Sequence, residues 1–461
     1  MKARSHSMPE ACPETSPSVQ IVQVEVSCTH PLLLLKQALP WEAITEAMTR
    51  YWRQHGKNVD GGPGLPWDVS LYVPLVVLML IKVFDSRQME AYVAENVVAR
   101  VFIGRHCDAQ AQIRDHSNIA RAYAALGKAG IDEVNHLVIK EAHRYGLIDE
   151  GVLSADTTAQ ELPMGYPNEP GILRGLAQRC GRALTQLAKR GIGGLDRSQE
   201  QVQTILRSVK EHHLFAAGKA DKREVLTRIL KEVGALIVQT RPLVERLATR
   251  ADRVIQSARA RLLAMHEVIK PLMGQIVQWI STGKVAANKI VHVGIPQARA
   301  IVRNKTGKKT EFGLAYLISR LGGGYLFGER IAANADERQM PLKALWGYRA
   351  LFGQEATPTL VVYDRGGDAT ATRQRLAVEG IKDVGMQPKG HRPWSVAEGV
   401  REQIRSERGR TEGSIGTLKS NRYKFNNPQE RLWQTLEMAG PRSILAFNLN
   451  KFMRDLVALT Q

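Results

Sequence analysis

Three carboxylates and a set of bases carry the chemistry this chain could do. In the stretch from Arg405 to Lys419, Arg405, Arg408, Glu412 and Lys419 are separated by three, four and seven residues. On a helix they fall within about 60° of one another. One acid among three bases suits a divalent metal beside a phosphodiester, the acid holding the metal and the bases the phosphates. The same spacing also makes an ordinary solvated face with i,i+3 and i,i+4 ion pairs. Two further carboxylates give the stretch candidate partners. Asp156 ends G-V-L-S-A-D, which reads as a short strand, and Asp364 ends T-L-V-V-Y-D, an apolar run of the buried-strand kind. Each has a plainer alternative. Asp156 could serve an Asx turn or helix cap, and Asp364 could be a turn residue before Gly366 and Gly367, with Asp368 the rival ligand.

The elements that must position these groups read as follows. Helices are expected over 32–54 with a break at Pro40, over 69–84, 86–95 and 96–104, then over 114–127 and 132–145. Asp115 or Ser117 is the expected N-cap of the helix carrying Asn118, Arg121 and Tyr123. Several short helices, one with exposed polar and basic groups, suit a helix-turn-helix-like DNA module, with Arg114, His116, Asn118 and Arg121 as contact candidates. An ordinary helical bundle fits the same pattern. After the first strand comes a long leucine- and isoleucine-periodic region reaching about Thr282, read as three or four antiparallel helices broken at Gly191–Gly194 and Pro242. From Ala300 the pattern turns to β. It gives a hairpin turning at Lys305–Lys308, a third strand over 324–331, a helix over 341–352, the Asp364 strand, a helix over 369–379, a strand over 383–387 and a last helical region from about Val396.

This order defines an α/β chain with a ribonuclease-H-like catalytic domain, a helical insertion after its first strand and an all-α domain before it. The expected boundaries are a leader over 1–30, a DNA-binding domain over 31–148, catalytic segments over 149–174 and 297–461, and the insertion over 175–296. Adjacent strands would bring Asp156 and Asp364 together, with Glu412 on a flanking helix. Converging carboxylates repel unless cations lie between them. Two Mg2+ ions, replaceable by Mn2+, would activate a nucleophile and stabilise the leaving oxygen of an in-line phosphoryl transfer.

Composition narrows the partner. The formal net charge is +19 with a pI near 9.9, and the bases are spread along the chain. That field favours a polyanion, nucleic acid first. The longest apolar run, Val73–Ile81, is too short for a bilayer. Four scattered cysteines without a C-x-x-C pair argue against a zinc site or disulfide framework and fit a reducing cytoplasm. Met1–His30 has no apolar core of the signal-peptide kind.

In this setting the chain resembles the bacterial insertion-sequence transposases of the DDE type. D-T-T followed by Y-P-N-E-P-G-I-L is similar to the family's first-Asp block, and Y-D-R-G-G to its second. Arg408, Glu412 and Lys419 in R-x3-E-x6-K are similar to its Tyr-Arg-Glu-Lys signature, and R-D-H-S-N-I-A-R to its DNA-binding region; A-N-A-D at 333–336 is a weaker match. The resemblance covers about residues 65–455. It implies metal coordination by Asp156, Asp364 and Glu412 and phosphate contacts by Arg408 and Lys419. It also implies an oligomer acting on double-stranded DNA at transposon ends and target, on the bacterial nucleoid. Two features depart from the family. Arg405 stands at the signature's Tyr position, trading an aromatic contact for a phosphate contact, and the insertion follows the first strand rather than the fifth. Trp394 could stack on an unpaired base, although a packed ring is the commoner role. Rival readings are a transposase-derived DNA-binding regulator without catalysis, or a ribonuclease-H-like nuclease with other substrates.

Overall fold

A computed structural model describes residues 25–461 apart from 61–66, 106–114, 303–309, 389, 391, 392, 395 and 431. Most of the expected leader, the 61–66 loop, the 305–308 turn and Arg114 therefore lie outside the described residues.

The N-terminal helices are α1 (Pro31–Ala38), α2 (Trp41–Gln54), α3 (Val69–Lys82), α4 (Ser86–Glu95), α5 (Val97–Phe102) and α6 (His116–Arg144). Local chemistry sets their ends. Asp85 and Gln88 form a reciprocal capping box at α4, and Asp115 caps α6 by accepting from Ser117 N at 2.7 Å. Gly127, at φ 62°, breaks α6 where the sequence suggested two helices. α3 is buried along Leu75–Ile81; Pro74, its sixth residue, lacks the N–H that would bond Ser70 O, and Ser70 is exposed, so water can take that carbonyl. No single described helix is long and apolar enough to cross a membrane.

β1 (Asp149–Glu161) follows and forms the middle of a mixed sheet. β3 (Thr310–Gly322) pairs antiparallel to β1. β2 (Arg299–Val302) and β4 (Leu326–Ile331) pair with successive stretches of β3 on its other side. β5 (Leu360–Val362) runs parallel to β1, and β6 (Asp383–Gly385) parallel to β5. α11 (Met340–Phe352) and α12 (Thr370–Val378) link these strands, and α13 (Glu398–Leu418) and α14 (Trp433–Leu459) close the chain. The fold is thus α/β, with the first strand central, antiparallel neighbours on one side and parallel ones on the other.

Between β1 and β2 the chain forms α7 (Glu169–Ala188), α8 (Asp196–Leu214), α9 (Lys219–Arg246) and α10 (Arg253–Thr282). These four helices bury their own cluster, including Leu184, Ile205, Ile229, Val233 and Leu262. The insertion therefore carries a core separate from the sheet's. Gly191–Gly194 breaks the chain as expected, but Pro242 does not: it lies inside α9. Four residues earlier, Val238 is exposed, so water can take the carbonyl that Pro242 leaves without a donor. The break after α8 falls at 215–218 instead.

The residues on either side of position 148 share a single core. One cluster runs from Leu35, Trp52 and Val138 through Leu153 and Leu317 to Leu449 and Phe452. α14 joins the halves: Asn448 Nδ2 donates to Asn135 Oδ1 at 2.8 Å, and Asn448 Oδ1 accepts from Leu326 N at 2.9 Å. Buried amides whose partners lie 313 residues apart fix how α6, β4 and α14 sit together.

Candidate active site between two strands and a basic helix

Side chains of β1 alternate between the two faces of the sheet. Leu153 and Ala155 enter the core shared with the N-terminal helices, while Ser154 turns to α13 and shares a hydrogen bond of 2.7 Å with Thr411. By the same alternation Asp156 lies on the α13 face. It is not at the end of its strand, as the sequence suggested. β1 continues to Glu161 because its antiparallel pairing with β3 persists to Glu161 opposite Gly313. Parallel pairing with β5, however, stops at Ser154 opposite Val362. Asp156 stands two residues beyond that last pair on one strand, and Asp364 stands two beyond it on the other. Adjacent strands lie about 4.8 Å apart, so the register sets the two aspartates side by side where β5 leaves the sheet. A crevice at the carboxyl ends of parallel strands is where open α/β sheets bind ligands.

Asp364 leaves β5 and caps a short 3-10 turn, accepting from Gly366 N at 2.8 Å. The turn brings in a carboxylate that sequence reasoning missed. A Cβ on Gly366 would collide with Glu337 Oε2 and sit 2.9 Å from Asp364 Oδ1. Glu337 directly follows the A-N-A-D block, whose Asp336 caps the turn at 337–339 and pairs with Arg338 at 2.7 Å. A carboxyl next to a weakly matched block was the available signal. Tyr363 reports the same gathering of charge. Burial pushes its phenol well above the ordinary range, and the charges of Asp364, Asp156 and Glu337 add to the effect.

Asp368, the rival to Asp364, is fully buried and bound to Arg373 Nε at 2.8 Å. Arg373 also donates to Met386 O. This pair ties α12 to the segment after β6, which is a structural task.

α13 is a regular helix through all three glycines of the basic stretch, so the 60° arc of Arg405, Arg408 and Glu412 holds, with Lys419 as its C-cap. Two bonds hold its buried face. Glu407, a second acid of the stretch, makes a buried ion pair with Arg320 of β3 at 2.5 Å, and Thr411 meets Ser154. Glu412 is the next residue after Thr411, as Asp156 is the second after Ser154. Its carboxylate is 60% exposed and meets Arg408 Nε at 3.3 Å, the ion pair that spacing alone allowed. Arg405 lies 3.8 Å from Glu398, and Lys419 lies 3.9 Å from Glu311 of β3. Among the described residues no three His, Cys, Asp or Glu are grouped at metal-ligand spacing. The structure thus brings Asp156, Asp364 and Glu337 into one neighbourhood. Glu412 stays at its margin, in an exposed pair worth only about 0.3–0.5 kcal/mol.

The N-terminal candidates are less concentrated. Arg114 lies outside the described residues. Asn118 and Arg121 lie in the first turns of α6, where Arg121 Nη1 donates to Asn118 Oδ1 at 3.0 Å. His116 faces Glu90 at 3.5 Å. α3 and α4 meet at a bend of 103°, and α4 packs on α6. Trp394 is partly buried against the cluster of Leu360, Val362 and Ile404, and Arg401 donates to its carbonyl at 2.7 Å.

Comparison with protein-family models, characterised proteins and solved structures gives no match.

Proposed function

We propose that this chain is a DDE-type transposase with a ribonuclease-H-like catalytic domain. It would bind the terminal inverted repeats of its element and carry out metal-dependent DNA cleavage and strand transfer. The observation that carries the reading is the register of β1 and β5, which puts Asp156 and Asp364 side by side at the carboxyl end of the parallel pair. The sheet supports it: β4, β3, β1, β5 and β6 lie in that order, antiparallel on one side of β1 and parallel on the other, as such a domain would require, with β2 as an added strand on β3. α13 supports it too: Thr411 bonds Ser154 of β1, and the next residue of the helix is the base-flanked Glu412.

The donor set suits Mg2+: two aspartates on adjacent strands offer hard carboxylate oxygens, and Glu412 or Glu337 can complete the set. When bound, the metal would supply Lewis acidity at the phosphodiester and a more acidic water or 3′-hydroxyl. The chain's own residues do the rest. Arg405 and Arg408 present their guanidiniums beside the crevice to hold phosphates of the DNA end. A phosphate at Arg408 would replace Glu412 as its partner and free that carboxylate to turn toward Asp156. Lys419, already held near Glu311, fixes the end of α13 and places one charge behind the site. Arg121 and Asn118 are the described candidates for contacting end DNA from the N-terminal helices, in an assembly of more than one copy.

The test is nicking of supercoiled DNA carrying the element's ends, with Mg2+ or Mn2+. Asp156→Asn, Asp364→Asn and Glu412→Gln are each expected to abolish nicking while leaving end binding in place. Normal nicking by the Glu412 variant together with loss in Glu337→Gln would move the third ligand to Glu337. Normal nicking by either aspartate variant would end the proposal.

A further inference from the structure

The helical insertion carries a charge arrangement that the carboxylate site does not use. From Arg174 to Arg190 the sequence has five bases and no acid. Arg174, Gln178 and Arg182 recur every four residues, so they form one stripe along α7. With Tyr166 and His292 they line a cleft of about 330 Å³ between α7, the 163–167 loop and the 291–293 segment. Gln178 and Arg182 continue into a second groove between α7 and α8, where Gln199 and Gln203 add amides and Glu200 is the one carboxylate.

Arg179, which also lines the cleft, is the informative residue. Its guanidinium is half-buried against Gly294, where any Cβ would overlap it. Burial lowers its pKa, and the neighbouring charges of Arg182 and Arg261 lower it further, with no carboxylate acting the other way. His292 is depressed by burial and by Arg179. Glu169, the only acid of α7, is held by Lys289. Arg174, Arg179 and Arg182 make no ion pair with a described residue. A half-buried guanidinium beside like charges is unfavourable unless an anion joins it.

We propose that this face of α7 binds the phosphodiester backbone of DNA, so that the insertion is a second DNA-binding surface, separate from the crevice at Asp156. Arg174 and Arg182 contact successive phosphates. Arg179, fixed by Gly294, supplies a preformed guanidinium between them. Tyr166, 81% exposed at the mouth of the cleft, covers the sugar edge. The proposal stands whether or not the carboxylates do chemistry.

The test uses the full chain, a short random-sequence duplex and no divalent metal, so catalysis cannot enter. Affinity is measured by fluorescence anisotropy between about 50 and 200 mM KCl. Arg174 and Arg182 are exposed, so Arg174→Gln with Arg182→Gln keeps the fold. Each phosphate contact contributes about 0.9 to the salt slope, so the double variant should bind more weakly with a slope shallower by about 1.8. The control removes equal charge elsewhere, by Arg144→Gln with Arg228→Gln, two bases already paired to Glu141 and Glu211. An unchanged slope in the α7 variant, or an equal change in the control, overturns the proposal. Competition by inorganic phosphate at concentrations where sulfate has no effect would also overturn it, by assigning the cleft to a free phosphate.

Discussion

The buried pair between Arg320 and Glu407 is the strongest test of how α13 is held. Both side chains are nearly sealed, at 9% and 6% exposure, and they meet at 2.5 Å. Even with Glu407 in place, burial dominates and lowers the pKa of Arg320. Replacing Glu407 by Leu would strand that guanidinium in the core, at a cost of about 3–5 kcal/mol. Replacing Arg320 by Met should cost less. Glu407 also accepts from Arg410 at 2.6 Å, and Arg410 is 61% exposed, so a second cation remains at hand. The double variant, with two apolar side chains of similar volume, should return to within about 1.5 kcal/mol of the parent. Urea unfolding followed by tryptophan fluorescence reads this unit well. Of the seven tryptophans only Trp279 lies in the inserted bundle. The reasoning fails if Glu407→Leu costs less than about 1 kcal/mol, the value of an exposed pair, or if the double variant loses the sum of the two singles.

Three further outcomes are expected. Asp368→Ala should destabilise the protein by about 3 kcal/mol by stranding Arg373. Nicking measured well below the melting temperature should survive, because Asp368 is a structural partner rather than a ligand. Changing Gly409, Gly413 and Gly416 to Ala should each stabilise α13 by about 0.5–1 kcal/mol, since a Cβ there meets nothing within 4 Å. End-DNA affinity should nevertheless fall, and a stabilised variant with undiminished affinity would show that DNA does not approach this face. The bundle should lose stability as pH falls below about 6.5, the unfolded value for histidine. His266 contributes to this, together with His212 and His292, whose folded pKa values burial also depresses. His266 is buried against Thr240 at 2.8 Å, and burial first and Arg241 second depress its folded pKa. Its contribution is therefore fully present above the unfolded pKa and is lost as pH drops toward the folded one. His266→Gln should lessen, without abolishing, the fall in the bundle's urea midpoint between pH 7.5 and 5.5, read through Trp279 at about 0.1 M salt.

Much of the architecture was legible where one force decided it. The 86–95 helix was placed to the residue because an Asp85 cap and an apolar stripe agree on it. The insertion was legible because its leucines and isoleucines repeat at helical spacing with nothing else to pack against. Long-range partners were less readable. Asn135 and Asn448 give no sign in sequence that they bond to one another, so a domain boundary at 148 looked reasonable although the core crosses it. Asp156 was misplaced relative to its strand end for a similar reason. β1 has two neighbours that stop at different points, and a single strand's pattern cannot show which neighbour ends first. Glu337 was hidden because a loop, rather than a periodic element, delivers it to Asp364.

α13 shows how competing signals in one stretch divide by face. Its glycines argued against a helix, yet packing overrides propensity: Ile404, Glu407, Thr411, Ile415 and Leu418 are all buried along one side. Glycines 409, 413 and 416 fall near the opposite side, where no protein atom comes close. The arc of Arg405, Arg408 and Glu412 lies along the border between the two. Glycine in an exposed helix face costs stability and offers the protein itself no contact in return. The packing of the chain gives no reason for three such residues beside three bases. Under the proposed function a DNA backbone lying against that face would give one, and its phosphates would meet Arg405 and Arg408.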